Sequence, residues 1–132
     1  MAISLDKAFG VHDQGLLLRT KRAEIIASNI ANADTPGYKA KGMDFQKALE
    51  QASSQQKQSL ARTHEKHFKM ESSLTNSQGY RVPNQPDTGD GNTVDSNVER
   101  NLYLQNQLEY QASYQFLNSK IVGIKKALKG GK

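Results

Sequence analysis

The side chains of this chain that could support catalysis or metal binding are its three histidines and the acidic residues beside two of them. His64 and His67 stand three residues apart near Glu65 and Glu71, a spacing that can place two metal ligands on one face of a helix. The chain has no cysteine, and no third ligand is evident, so a solvated polar patch is the favoured interpretation. His12 lies on a helical stripe, where packing or partial exposure is commoner than general-base catalysis.

Phosphate-binding and nucleophilic motifs are missing from the sequence. The Gly-Asp-Gly-Asn stretch at 89–92 lacks the lysine and the following apolar helix of a P-loop, so it indicates a turn. No Gly-x-Ser-x-Gly occurs, and a chain without cysteine has no disulfide scaffold, Cys-ligated metal site or thiol catalysis. We therefore expect no enzymatic activity, no cofactor, no bound metal and no small-molecule substrate.

Positive charge is concentrated at the C-terminus. The 132 residues include 18 Lys and Arg against 13 Asp and Glu, a formal charge of +5. Such a balance can mark nucleic-acid or anionic-membrane binding, but lysines at the end of a helix also complement its dipole. No nucleic acid is expected, because no zinc-finger spacing or RNP-like aromatic pair accompanies the charge. A basic nucleic-acid or membrane-surface binding helical protein stays open as the alternative function. The lysines concerned are Lys120, Lys125, Lys126, Lys129 and Lys132.

An N-terminal arm without proline runs from Ser4, a plausible N-cap, to about Ala31. Its apolar and small residues recur at helical spacing, which predicts a long amphipathic helix. Ala27 and its neighbour on the stripe, Ala23, are small enough to allow close approach of a second helix. The one-heptad stripe consists of Phe9, Leu16, Ala23 and Ile30.

A C-terminal arm opens with Ser96-Asn97-Val98-Glu99, which fits a Ser-x-x-Glu capping box, and runs to about Leu128 before Gly130. Its main apolar stripe alternates spacings of four and three, as in a coiled-coil seam. A second stripe, with Val98 and Leu108, is displaced around the helix, so this helix can touch two neighbours. The main stripe consists of Tyr110, Tyr114, Leu117, Ile121, Ile124 and Leu128.

The segment between the arms holds all three prolines and few large apolar residues. The 51–59 stretch reads as a linker, a weak helix around 44–51 is possible, and short extended pieces with turns follow from Gly79. We divide the chain into an N-terminal helix (1–34), a polar connecting region (35–93) and a C-terminal helix (94–132).

The predicted fold is mostly α, with the two terminal helices pairing as an antiparallel coiled coil and a polar, partly extended middle ordered on assembly. A two-helix hairpin buries one face of each helix, so the remaining stripe needs a partner. An assembly subunit forming a helical bundle or tube, and a monomeric bundle with a third helix from the middle, both fit the pattern.

The string from Ala27 to Lys39, ASNIANADTPGYK, closely resembles the N-terminal signature of bacterial flagellar rod, hook and filament-type axial proteins. Its asparagines can hydrogen-bond backbone groups where the helix ends, its proline forbids continuation, its glycine permits a bend, and its tyrosine packs the returning chain. We call the key positions the rod motif: Asn29, Asn32, Thr35, Pro36, Gly37 and Tyr38.

Three further strings narrow the resemblance to proximal rod proteins: NADTPGYKAKGMDF at 32–45, YRVPNQP at 80–86 and GNTVDSNVER at 91–100. The gap between the arms is too short for the extra domains of hook or distal-rod proteins. The resemblance implies a non-enzymatic structural subunit linking the membrane ring to the rest of the rod. Its implied partners are copies of itself, other rod proteins, membrane-ring and ring-to-rod adaptor proteins, and the flagellar type III export gate.

The resemblance also implies synthesis in the cytoplasm and export to a periplasmic rod without a cleaved signal peptide. Residues 1–10 fit this expectation, because Asp6 and Lys7 interrupt them and no apolar h-region follows. Early flagellar export substrates carry a Phe-x-x-x-apolar motif thought to dock on the export gate, and Phe45 to Leu49 fits it. Packing of Phe45 against Leu49 one helical turn away explains the same spacing equally well.

Overall fold

The computed structural model describes residues 9, 11–57, 78–83 and 89–130. This part of the chain is mostly helical, with long helices toward both ends, which confirms the predicted class. The Ser4 cap, the His64 and His67 pair and Lys132 lie outside the described residues. The elements are helix α1 (Val11–Ala31), strand β1 (Lys41–Met43), helix α2 (Phe45–Lys57), strand β2 (Gln78–Tyr80) and helix α3 (Ser96–Leu128).

Helix α1 lies at the centre of the fold and packs against α3, α2 and β1. Its buried side chains include Leu18, Ile25 and Ile26. One small core forms where Leu18 meets two alanines of α2, with three larger side chains around them. The members of this core are Leu18, Ala48 and Ala52, flanked by Met43, Phe45 and Leu49.

Strands β1 and β2 form an antiparallel pair with Lys41 opposite Tyr80 and Met43 opposite Gln78. Strand β1 leads directly into α2. Asp44 caps the start of this helix, because its side chain accepts a hydrogen bond from the backbone N–H of Lys47 at 3.1 Å. The interpretation of residues 51–59 as a linker is wrong as far as residue 57, because α2 continues to Lys57. Burial of Ala52 on Leu18 explains why this Gln- and Ser-rich segment is helical.

The N-cap of helix α3 lies one residue earlier in the sequence than predicted. The N-cap is Asp95, whose Oδ1 accepts hydrogen bonds from the backbone N–H groups of Asn97 at 2.9 Å and Val98 at 3.2 Å. Ser96 is already helical, so the predicted capping box is wrong. The helix ends at Leu128 as predicted, and Gly130 follows with φ of 75°. Among the described helices, none is long and apolar enough to cross a membrane.

Candidate functional site

Asn29, the first residue of the rod motif, ties α1 to strand β1. Its Nδ2 donates to the carbonyl oxygen of Lys41 at 2.8 Å, and its Oδ1 accepts from the Lys41 backbone N–H at 3.0 Å. The amide thus pairs with the backbone of Lys41 as a neighbouring strand would. Asn29 is fully buried, so each of these polar groups needs its partner.

The rest of the rod motif forms the turn that ends α1. Asn32 Nδ2 donates to the carbonyl oxygen of Ser28 at 2.8 Å, and Thr35 Oγ1 donates to Asn32 Oδ1 at 3.3 Å. The Tyr38 hydroxyl lies 3.3 Å from Ser28 Oγ and donates to Asn29 Oδ1 at 3.4 Å.

The motif's proline and glycine shape this turn. Pro36 is exposed within it, where a ring that cannot continue a helix fits. Gly37 takes a φ of 72°, a conformation that favours glycine. The chain therefore leaves α1 sharply and returns along it.

Asn92 closes this turn from a distant part of the chain. Its Nδ2 lies 3.0 Å from the carbonyl oxygen of Asn32, 2.7 Å from that of Ala33 and 2.9 Å from that of Thr35. Its Oδ1 accepts from the backbone N–H of Val94 at 2.8 Å. Asn92 is 5% exposed, and its amide donates to carbonyl groups of the turn that follows α1.

The segment before α3 continues this contact along the returning chain. The backbone N–H of Gly37 donates to the carbonyl oxygen of Asp90 at 2.9 Å, and that of Thr93 donates to the Tyr38 carbonyl at 3.0 Å. Thr93 Oγ1 then accepts from the Ala40 N–H at 2.8 Å. The GNTVD string at 91–95 is therefore the structural counterpart of the rod motif. The sequence indicates only a turn at Asn92, so its role in this junction is visible only in the fold.

Glu99 joins the same junction from α3. The carboxylate is 1% exposed, forms an ion pair with Arg81 and accepts a hydrogen bond from Asn29 Nδ2 at 3.2 Å. The backbone N–H of Arg81 donates to the Ala40 carbonyl at 2.8 Å, which holds Arg81 beside β1. The sequence pattern assigned Glu99 to a capping box and did not single out Arg81.

Farther along the helix pair, Arg19 of α1 contacts three side chains. It forms an ion pair with Glu109, its Nε donates to Ser113 Oγ at 3.2 Å, and its guanidinium lies 4.4 Å from the centroid of the Phe45 ring. Asn106 Nδ2 donates to the backbone carbonyl of Arg19 at 2.9 Å. This one arginine therefore connects α1 with both α2 and α3.

The predicted packing residues fall into two groups. Ala27, Tyr114 and Leu128 are exposed. Ala23 and Tyr110 line a cavity of about 140 Å³ between α1 and α3. The stripes also predict that one set of residues faces another, within a subunit or between neighbours, and this stays a prediction; the sets are Leu16, Ala23 and Ile30 on α1 and Leu117, Ile121 and Ile124 on α3. The half-buried group consists of Leu16, Ala23, Ile30, Tyr110, Leu117, Ile121 and Ile124.

Phe45 and Leu49, the candidate export-gate residues, both occupy the first part of α2. Each is half-buried and packs against the core around Leu18 and Ala48. The Arg19 guanidinium covers the Phe45 ring. In the folded chain the two side chains are therefore engaged in packing.

Several large apolar side chains remain exposed in the described part of the chain. On α3, Leu104 is 62% and Leu108 is 69% exposed, and beside β2 the side chain of Val82 is 81% exposed. A groove of about 600 Å³ lies beside Val82, and its lining includes Ile25 and Val98.

Residues 11–39, which contain α1 and the whole rod motif, match the family described as "Flagella basal body rod protein". In this stretch, which includes the junction at the end of α1, the chain is similar to rod proteins of the flagellar basal body.

Relatives over nearly the full chain define the family more closely. "Flagellar basal body rod protein FlgB" of Aeromonas hydrophila is 59% identical, over 98% of this chain and 98% of that protein. The proteins of the same name are 39% identical in Salmonella typhimurium strain LT2, over 96% of both chains, and 37% identical in Escherichia coli strain K12, over 99% of both. The chain belongs to the FlgB family, and it is a structural subunit of the flagellar basal body rod.

Proposed function

We propose that the chain is a non-enzymatic subunit of the proximal rod, linking the membrane ring to the rest of the rod. In this proposal α1 and α3 pair as an antiparallel coiled coil, and neighbouring subunits cover the exposed apolar side chains. The observation that carries the proposal is the full-length similarity to FlgB proteins, with 59% identity to one of them. The short connection between the long helices supports a proximal rather than a distal position.

The order of the contacts between the helices supports antiparallel pairing. Asn29 near the end of α1 bonds to Glu99 near the start of α3, whereas Arg19, ten residues earlier, contacts Glu109, ten residues later. When the residue numbers of successive contacts rise along one helix and fall along the other, the two helices run antiparallel. The alternating four- and three-residue spacing of the α3 stripe favours coiled-coil packing.

The proposed partners are copies of the chain, other rod proteins, the membrane ring with its ring-to-rod adaptor, and the type III export gate. The chain would be made in the cytoplasm and reach a periplasmic rod without cleavage. Ordering of the 35–93 region on assembly stays a prediction. Limited proteolysis of the free chain and of intact basal bodies tests it, and equal cleavage in both would contradict it.

Electron microscopy of basal bodies from an in-frame deletion strain, beside the complemented strain, tests the proposed function. We expect rings without rod or hook in the deletion, and complete basal bodies after complementation. Complete rods and hooks in the deletion would refute the proposal. The basic end of α3 would then be examined for salt-dependent DNA binding, as the alternative function predicts.

Ile121→Asp tests the role of the apolar stripe on α3 in assembly. Ile121 is half-buried in the free chain, so a carboxylate there is partly solvated until a neighbour covers it. Covering an unpaired carboxylate costs several kcal/mol, on the order of 3 or more, and we expect loss of swimming in soft agar. Ser119→Asp, at an exposed position of the same helix, is the control and should swim. Normal swimming of Ile121→Asp would remove this stripe from the assembly interface.

Phe45→Ala with Leu49→Ala tests recognition by the export gate. The readout is the ratio of secreted to intracellular protein in cells able to export. Phe116→Ala is the control, because the residue four positions after Phe116 is Lys120 and the motif is not fulfilled there. We expect reduced secretion only for the double variant, and unchanged secretion would assign Phe45 and Leu49 to packing alone.

A further inference from the structure

The face of α3 that contacts α1 carries polar residues at heptad spacing. Glu99 and Asn106 are the buried residues of α3, and Ser113 continues their line one heptad later. We call these three residues the polar seam. On other faces of the same helix, Leu104 and Leu108 are mainly exposed. The fully buried residues of α3 are thus polar, and the apolar residues of its main stripe are at most half-buried. An ordinary surface helix buries its apolar stripe more fully than its polar residues.

Each residue of the polar seam has a specific contact on α1. Glu99 accepts from Asn29 Nδ2 at 3.2 Å, Asn106 donates to the Arg19 carbonyl at 2.9 Å, and Ser113 accepts from Arg19 Nε at 3.2 Å. Asn106 Oδ1 is buried and accepts no hydrogen bond from the described residues. A leucine at position 106 would avoid that cost, so stability alone does not account for this amide.

We propose that the polar seam fixes the register in which α1 and α3 pair. An apolar seam packs almost equally well after a shift of one heptad, because leucines and isoleucines replace one another. A seam of hydrogen-bonded groups does not, since a shift leaves buried polar groups without partners. Replacing buried polar residues by apolar ones often raises stability, which is why register and stability must be measured separately.

The nearest competing alignment shows what the seam excludes. A shift of one heptad toward the start of α1 would bring Glu99 opposite Arg22 and would bring Arg19 opposite Leu102. Glu99 would gain a cation there, but it would leave Asn29 and also Arg81, which β1 holds in place through the Ala40 carbonyl. In the observed alignment Glu99 has two partners at once, which the shifted alignment does not reproduce.

The inference rests on the proposed antiparallel pairing but not on the position of the chain in the rod. It implies that α3 selects α1 of its own chain through polar contacts. The exposed leucines of α3 take no part in this choice of partner helix. Two surfaces of one helix would then carry two different kinds of specificity.

Disulfide trapping in the purified full chain tests the register, because the native sequence has no cysteine. Thr20→Cys with Gln107→Cys reports the observed alignment, since both positions line the same cavity. Thr20→Cys with Arg100→Cys reports the alignment shifted by one heptad. Each pair is placed in the native chain and in a seam variant with Glu99→Leu, Asn106→Leu and Ser113→Leu.

We expect the native chain to form the first disulfide, and the seam variant to form the second at least five times more than the native chain does. Circular dichroism at 222 nm verifies that the variant is helical, and the single Asn106→Leu variant replaces it if it is not. Asn101→Leu, the same change at an exposed position, should leave both yields unchanged. An unchanged yield of the shifted disulfide in the folded variants would overturn the register proposal. Lack of the first disulfide in the native chain would instead refute the helix pairing itself.

Discussion

Replacing Asn92 with alanine removes the amide that closes the end of α1. The Nδ2 group contacts three carbonyl oxygens at 2.7 to 3.0 Å, and Oδ1 accepts one backbone N–H at 2.8 Å. An amide NH₂ has two hydrogens, so the three contacts amount to about two hydrogen bonds. With about 1 kcal/mol net for each of these two and for the accepted bond, and with some hydration of the freed carbonyls, the expected loss is about 2 to 3 kcal/mol.

Asn92→Asp separates the donor role of this side chain from its shape. The carboxylate keeps the size and the acceptor for Val94, but it has no N–H and places negative oxygen against carbonyl oxygens. We therefore expect Asn92→Asp to lower the free energy of unfolding more than Asn92→Ala does. Urea unfolding of the full chain, followed by circular dichroism, measures both, with Asn97→Ala and Asn97→Asp as exposed controls expected to stay within about 0.5 kcal/mol of the native chain.

A milder effect of Asn92→Asp than of Asn92→Ala would refute the argument from donated hydrogen bonds. So would native stability of either variant. A loss well above about 4 kcal/mol would also contradict the estimate, since it would require more than the hydrogen bonds of one side chain.

Two backbone and capping predictions can be tested by the same unfolding measurement. Gly37→Ala should destabilise the chain by about 1 kcal/mol, because φ is 72° at Gly37. Gly15→Ala should stabilise it by about 0.5 to 1 kcal/mol, because Gly15 lies within α1 and an added Cβ would meet open space; equal effects of the two changes would contradict the assigned conformations. Asp95→Ala should cost about 1 kcal/mol and Ser96→Ala clearly less, since Asp95 is the N-cap. The opposite order would restore the capping box that the sequence suggested.

The two long helices were predictable because their signals are local. Heptad spacing of apolar residues predicts a helix without knowledge of its neighbours, and Pro36 and Gly130 mark the ends that the structure has. Local signals failed where two residues compete for one role. Asp95 and Ser96 are both good N-caps, and only the observed bonds from Asp95 to Asn97 and Val98 decide between them.

Helix α2 shows what packing adds to a weak local signal. Its Gln- and Ser-rich second half has no strong apolar pattern, and an isolated helix of this length is marginal in water. Contact of Ala48 and Ala52 with Leu18 makes it part of the core. That contact joins residues about thirty positions apart in the sequence, which is roughly the length of two average helices with their connections. No short stretch of sequence therefore contains both partners.

Only part of the junction at the end of α1 is contained in the rod motif. Asn29 and Asn32 lie within a single recognisable string, so their importance could be inferred before the fold was known. Asn92, Glu99 and Arg81 also belong to the network, yet they lie in two other strings of the sequence, and their contact with the rod motif is seen only in the fold. A motif marks one side of such a junction, and only the fold identifies the residues that complete it.

The polar seam was missed because hydrophobic patterning assumes that a helix turns its apolar stripe toward its own chain. In α3 the fully buried residues are Glu99 and Asn106, which contact α1, whereas Leu104 and Leu108 are mainly exposed. Burial of a hydrogen-bonded group specifies an alignment, and burial of a leucine mainly supplies free energy. Because the polar contacts and the exposed leucines lie on different faces of α3, α1 and α3 can pair without covering those leucines.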